Sequence, residues 1–196
     1  MDDGLAQIEA LTAMRACLLT FLPWNSRYDP FFLSLSDLHQ SNILVDDDWH
    51  IKYILDLEWA CSRPIEMIRP PLWLVNHAFD DLVDENLANL KVACDEFLSV
   101  LEQEEKASFH KNVVSLAETM RNNWSTGRLW YFRALDSLTG LYGVFLNHIE
   151  PMFKAKSIKT VACYWHLDAE SILQQKAEDR RRYDLQLQQA FMGERV

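Results

Sequence analysis

A mainly helical α+β fold is what the sequence predicts, and three observations carry that prediction. Apolar residues recur every three or four positions over 5–22, and again almost without interruption from Pro70 onward, which is the period of helices that bury one face. Apolar β-formers gather only within 31–60, on both sides of Asp46-Asp47-Asp48, the pattern of a hairpin with an acidic turn. Core material is ample: 49% of the 196 residues are hydrophobic, with 10 Phe, 7 Trp and 6 Tyr. A chain of this length suits one domain and buries about 70% of the surface it exposes when unfolded. The expected organisation is therefore a single domain over 1–196.

Taken in order, Leu5, Ile8, Leu11, Met14, Leu18 and Leu22 predict a first amphipathic helix that Pro23 ends. Pro23, Asn25, Ser26, Asp29 and Pro30 then read as a loop. Over 31–60 an irregular polar loop precedes a hairpin, Ile43-Leu44-Val45 against 50–55, with Asp56 at its exit. This hairpin is the one stretch of β-structure expected. Residues 72–104 predict two helices broken near Asp84, 108–123 another, and 127–149 a very apolar one bounded by Pro151. A last helix is expected from Asp168 to about Phe191.

Composition excludes several classes. Only 5 glycines occur, against an average near 7%, and none forms a dinucleotide fingerprint, a P-loop or a kinase-type phosphate flap. Four scattered cysteines without a C-x-x-C pair, and an acidic N-terminus, fit a reducing, cytoplasmic setting. The most apolar long stretch, 129–146, is interrupted by Arg133 and Asp136, so no membrane span is expected. A formal charge of -10 disfavours nucleic acid, which needs clustered Lys and Arg.

Other features read as ordinary structure. Nine acidic residues stand against Lys91 alone between 80 and 105, the composition of a solvated helix face. Arg180-Arg181-Arg182 beside Glu178 and Asp179 reads as a solvated helix. Asp46, Asp47 and Asp48 read as the hairpin turn and not as a metal cluster. Cys163 and His166 are half a metal site with no second pair. Trp59, Trp73, Trp124, Trp130 and Trp165 are expected mostly in the core.

Chemistry concentrates at Asp37, Asn42 and Asp56. Asp37 and Asn42 share one loop, the hairpin follows directly, and Asp56 leaves its second strand. A hairpin folds its two ends together, so three oxygen-bearing side chains converge from 20 residues of sequence. Phosphoryl transfer uses such a set: a carboxylate to orient or deprotonate the attacking hydroxyl, and hard oxygen ligands for Mg²⁺.

The run Ser36-Asp37-Leu38-His39-Gln40-Ser41-Asn42-Ile43-Leu44-Val45, followed by Ile54-Leu55-Asp56-Leu57-Glu58-Trp59-Ala60, resembles the catalytic loop and metal-binding strand of the aminoglycoside phosphotransferase family. About 30 residues carry the resemblance. It implies the helical C-terminal lobe of a protein-kinase-like fold, and transfer of the γ-phosphoryl group of ATP to a small-molecule hydroxyl. It further implies Asp37 as catalytic base, Asn42 and Asp56 as Mg²⁺ ligands, His39 as a shaper of the loop and Glu58 as a neighbour reaching metal-bound water. Leu35 stands where the family usually has His. The β-rich nucleotide-binding lobe that precedes this motif in the family has no counterpart before Asp37, so the expectation is little or no kinase activity from this chain alone. The alternative is a non-catalytic remnant or a helical partner-binding module. Apolar faces around Leu38, Ile43 and Leu55 are then expected to be partly uncovered, inviting self-association or a partner.

Overall fold

The computed structural model describes residues 2–28, 30–108, 114–137, 140–153 and 169–193. Two compact units divide the chain, Met1–Ala16 with Lys154–Val196 and Cys17–Phe153. The secondary structure is mainly helical α+β, with two small two-stranded antiparallel sheets. No helix among the described residues is long and apolar enough to cross a membrane.

In the first unit, α1 (Asp2–Ala16) meets the C-terminal helix α7 (Ala169–Gly193). Gly4 is the point of close approach: a Cβ there would lie 2.5 Å from Leu173 Cδ2. The arginine run sits on a solvated stretch of α7, as its composition predicts. There Arg180 pairs with Asp184 at 3.0 Å and Arg182 with Asp179 at 2.5 Å, both arginines being more than two-thirds exposed. The helix predicted over 5–22 stops at Ala16. Cys17 takes φ -92° and ψ 5°, which interrupts the hydrogen-bond ladder, and Leu18–Phe21 forms a separate turn, α2.

The second unit holds both sheets. Strands β2 (Ile43–Val45) and β3 (Ile51–Ile54) form the predicted hairpin, with Ile43 opposite Ile54 and Leu44 opposite Tyr53. The segment before them is not the irregular loop expected. Phe31–Leu35 is a strand, β1, paired with β4 (Ala60–Pro64) from Phe31 opposite Pro64 to Leu35 opposite Ala60. The expectation of a single hairpin is corrected accordingly. The second sheet was hard to read because its two strands are about 25 residues apart in sequence, and β4 begins Ala-Cys-Ser-Arg, with little β-branched or aromatic content.

Two of the helices that follow pack against β1 through Phe32. Pro70-Pro71 delays helix formation, so that short 3-10 turns at Leu72–Leu74 and Phe79–Asp81 replace the first of the two helices expected over 72–104. One helix, α3 (Asp84–Ala107), follows, and its exposed Asp95, Glu96 and Glu104 bear out the solvated acidic face. Helix α4 (Leu116–Ser125) starts later than predicted because Ser115 caps it, accepting from Glu118 N at 3.2 Å. Glu105 of α3 reinforces that start, accepting from Ser115 Oγ at 2.8 Å and from Leu116 N at 2.5 Å. The expectation over 109–113 lies outside the described residues.

Helix α5 (Arg128–Asp136) buries Leu129, Trp130, Tyr131, Phe132 and Ala134. A helix apolar on nearly every side belongs inside a core. Gly127 precedes it at φ 74°, and a Cβ at this position would meet Met152, so glycine is required twice over. The helix predicted over 127–149 breaks at Ser137, whose φ and ψ are -123° and 108°. The chain then resumes as α6 (Leu141–Val144), continued by a π-type turn over Phe145–Ile149.

A cluster of Ile68, Leu98, Ala117 and Met120, flanked by Phe32, Ile65 and Phe97, joins β1, α3 and α4 into one core. Asn123, 1% exposed, donates to Ile65 O at 3.0 Å and to Ile68 O at 2.9 Å. These two bonds hold the segment after β4 against α4 and satisfy carbonyls that no regular ladder reaches. Trp130 is core as expected, stacked on His148 at 3.8 Å. Trp59 is not: 62% exposed, it lies in the turn between β3 and β4, where its backbone carbonyl and not its ring is used. Trp165, Cys163 and His166 lie outside the described residues.

Candidate functional site

The nested sheets dictate where Asp37, Asn42 and Asp56 fall. The outer pair, β1 and β4, is closed at its end by Ser36, whose N and Oγ both donate to Trp59 O, at 3.3 and 2.6 Å. The inner hairpin is closed by Leu55 N donating to Asn42 O at 2.9 Å. Residues 37–42 and 55–59 therefore form two short connections between the same two sheets, side by side.

Within that frame Asn42 Nδ2 donates to Asp37 O at 3.3 Å, pinning the loop that carries the Asp37 carboxylate. Asp37 and Asp56 line one narrow crevice with Leu35, Leu55 and Leu57. Asp56 has φ 56° and ψ 51°, the left-handed region that Asp tolerates better than most residues. This kink ends the hairpin and starts the turn Leu57–Trp59, which carries exposed Glu58. His39 Nδ1 accepts from Ser41 N at 3.4 Å, capping the 3-10 turn Gln40–Asn42. Its ring stands 6.0 Å from that of Trp73.

All five sequence-predicted residues thus fall within two adjacent connections, with Asp37, Asn42 and Asp56 drawn together by the pairing of the strands. With Asn42 Nδ2 turned to Asp37, Oδ1 is the atom left for a ligand, and among the described residues it accepts a 3.3 Å bond from Ser41 Oγ. One amide oxygen and one carboxylate make a hard-oxygen pair of the type that Mg²⁺ takes together with waters and substrate phosphates. The donor chemistry fits the metal.

The hairpin turn is organised by Asp46. Its Oδ1 accepts from Asp48 N at 3.1 Å and His50 N at 2.8 Å, and Lys52 Nζ lies 2.8 Å from Oδ2. Lys52 first, and then the His50 N–H, hold this carboxyl below its ordinary range. Of the aspartate run, Asp46 thus organises the turn.

Beside the crevice opens a cleft of about 830 Å³ whose wall includes Asp37, His39, Trp73, Arg63, Arg69 and Arg133. Sequence reasoning missed the three arginines as a group, because they come from β4, the following loop and α5. One signal was present: Arg133 and Asp136 interrupt the most apolar stretch of the chain, and charges in such a helix have partners. No family model matches the chain, and neither a curated protein nor a solved structure matches it significantly.

Proposed function

We propose that this chain is a phosphotransferase by descent, built to transfer the γ-phosphoryl group of ATP to the hydroxyl of a small molecule. The observation that carries the reading is the convergence of Asp37, Asn42 and Asp56, joined by the Asn42 to Asp37 hydrogen bond and by the crevice that both aspartates line. Asp37 orients the attacking hydroxyl and takes its proton. Asn42 and Asp56 hold Mg²⁺, which supplies charge stabilisation to the phosphates. His39 fixes the turn between them, and Glu58, in the adjacent connection, would serve a metal-bound water. Four scattered cysteines without a C-x-x-C pair suit a reducing, cytoplasmic setting.

Activity from these residues alone is little or none. Phosphoryl transfer is catalysed almost wholly by positioning and preorganised charge, which act strongly only where water is excluded. Asp37, Asp56 and Glu58 are all exposed, and a high surrounding dielectric weakens whatever they hold. A second reading, a partner-binding remnant, is favoured by the apolar side chains on the hairpin: Ile51 is 61% exposed, Tyr53 67% and Leu55 46%. Exposed apolar surface of this extent suits self-association or a partner.

A thermal-shift titration with ATP and Mg²⁺, run beside Asp56→Asn, tests the first reading. It requires a Mg²⁺-dependent rise in melting temperature that the variant loses. A folded protein with no shift favours the second. Nucleotide-dependent phosphorylation of a small hydroxyl compound that vanishes in Asp37→Ala would overturn the expectation of inactivity.

A further inference from the structure

The cleft next to Asp37 carries positive charge in a protein that is strongly acidic overall. Arg69 Nη2 donates to Asp136 Oδ2 at 2.7 Å, and Arg63 Nη1 reaches the same oxygen at 3.5 Å. One carboxylate therefore serves two guanidinium groups whose side chains are only 19% (Arg63) and 16% (Arg69) exposed. Arg133 adds a third, 4.9 Å above the Phe79 ring. Burial, and then the neighbouring Arg69, hold the Arg133 guanidinium below its ordinary range, so the positive charges are crowded as well as desolvated.

Two N–H donors in this group are left over. Arg69 Nη1 and Arg133 Nε are buried without a hydrogen-bond partner among the described residues. A buried, charged donor without a partner is costly, and three arginines against Asp136 leave an excess of two positive charges. Asp37 is the one acidic residue on the wall of the cleft. Two oxygens of a carboxylate or of a phosphate match the forked donors of guanidinium groups, and Trp73 and Phe79 on the same wall offer apolar surface for the rest of a small molecule.

We propose that the cleft is a binding site for a small organic oxyanion, a carboxylate or a phosphate monoester, held by Arg69 and Arg133. The anion pairs with the Arg69 and Arg133 guanidinium groups on the cleft wall and neutralises the excess charge that Asp136 leaves. Joined to the phosphotransferase reading, on which this one step rests, the site makes the acceptor an acidic hydroxy compound, with its hydroxyl at Asp37 and its acidic group at the arginines.

The test is isothermal titration calorimetry of the full chain in low-salt buffer without nucleotide, with phenyl phosphate in one arm and benzoate in the other. The expected result is saturable one-to-one binding of at least one probe, weakened about tenfold or more in Arg133→Met and in Arg133→Gln. The arm that responds identifies the anion, and a response in both assigns the site to oxyanions generally. Asp136→Asn, which frees Arg63 and Arg69, is expected to bind severalfold more tightly, a direction that loss of structure would not produce. Folding of each variant is checked by near-UV circular dichroism. Absence of saturable binding by the folded wild-type chain up to about 10 mM probe, or equal affinity in the folded Arg133 variants, overturns the proposal. Saturable anion binding by a folded wild-type chain that shows no Mg²⁺-dependent thermal shift with ATP would leave the anion site standing and remove only the phosphotransferase reading.

Discussion

The α4 and α5 region and the hairpin region of the second unit solve opposite problems. Within α5 five of nine side chains are buried, and Asn123 donates both of its amide hydrogens to carbonyls from another part of the chain. Around the hairpin every residue of β3 is exposed, and the polar groups bond mainly to neighbours within a few residues, as Asp46 does. The first region holds the fold and gives the cleft the charge of Arg133, with Asp136 following at the end of α5. The second presents the chemistry and relies on the outer sheet, β1 with β4, to hold it in place. Candidate site residues are thus cheap to alter structurally, whereas core polar residues are not.

Asn123→Ala tests the stabilising side of that contrast most severely. It leaves Ile65 O and Ile68 O without their donor in a buried setting, and we expect a loss of about 2–4 kcal/mol, read from urea unfolding. Asp37→Ala, by contrast, is expected to leave the unfolding midpoint unchanged. Equal losses in the two variants would erase the distinction between the regions.

A smaller effect should appear with pH. Burial pushes the His148 imidazole below its ordinary value, against a weaker opposing hydrogen bond to the Leu82 backbone. The unfolded chain, with a histidine near 6.5, therefore takes up a proton that the folded chain resists. Stability from this group is present above that value and is lost as pH falls through it toward the lower folded value. His148→Phe, which preserves an aromatic ring against Trp130, is expected to flatten the pH dependence of the melting temperature between about pH 7 and 5.

Asp46→Ala is expected to have the smallest global consequence and the most local one. It removes the acceptor of two turn N–H groups and the partner of Lys52. Faster amide exchange at Asp48, His50 and the β2–β3 pairs, with exchange in α5 unchanged, is the outcome that matches independent regions. Faster exchange in both would show that the hairpin supports the core.

Much of the hairpin was legible from sequence because its signals are local. Ile43-Leu44-Val45, the acidic turn and 51–54 lie within about a dozen residues, and short-range pairing leaves little freedom in register. The candidate site was legible for the same reason: once the hairpin closes, Asn42 and Asp56 must approach each other. The arginine group was not, since Arg63, Arg69 and Arg133 meet only after α5 packs behind β4, and no periodicity encodes that meeting. Helix lengths were misread where tertiary demands or single residues intervened, as at Ser137, whose Oγ accepts from Gly140 N at 3.0 Å and whose backbone turns out of the ladder.

The amino-acid sequence by itself determined the helical character of most of the chain, the hairpin with its aspartate turn, and the closeness of Asp37, Asn42 and Asp56, all consequences of contacts short in sequence. Tertiary structure alone decided that Phe31–Leu35 would pair with Ala60–Pro64, that Asn123 would bridge to Ile65 and Ile68, and that Asp136 would meet Arg63 and Arg69. These are contacts across roughly 25 to 75 residues, whose closure is paid for by burial of the whole core, and no local stretch of sequence carries that sum.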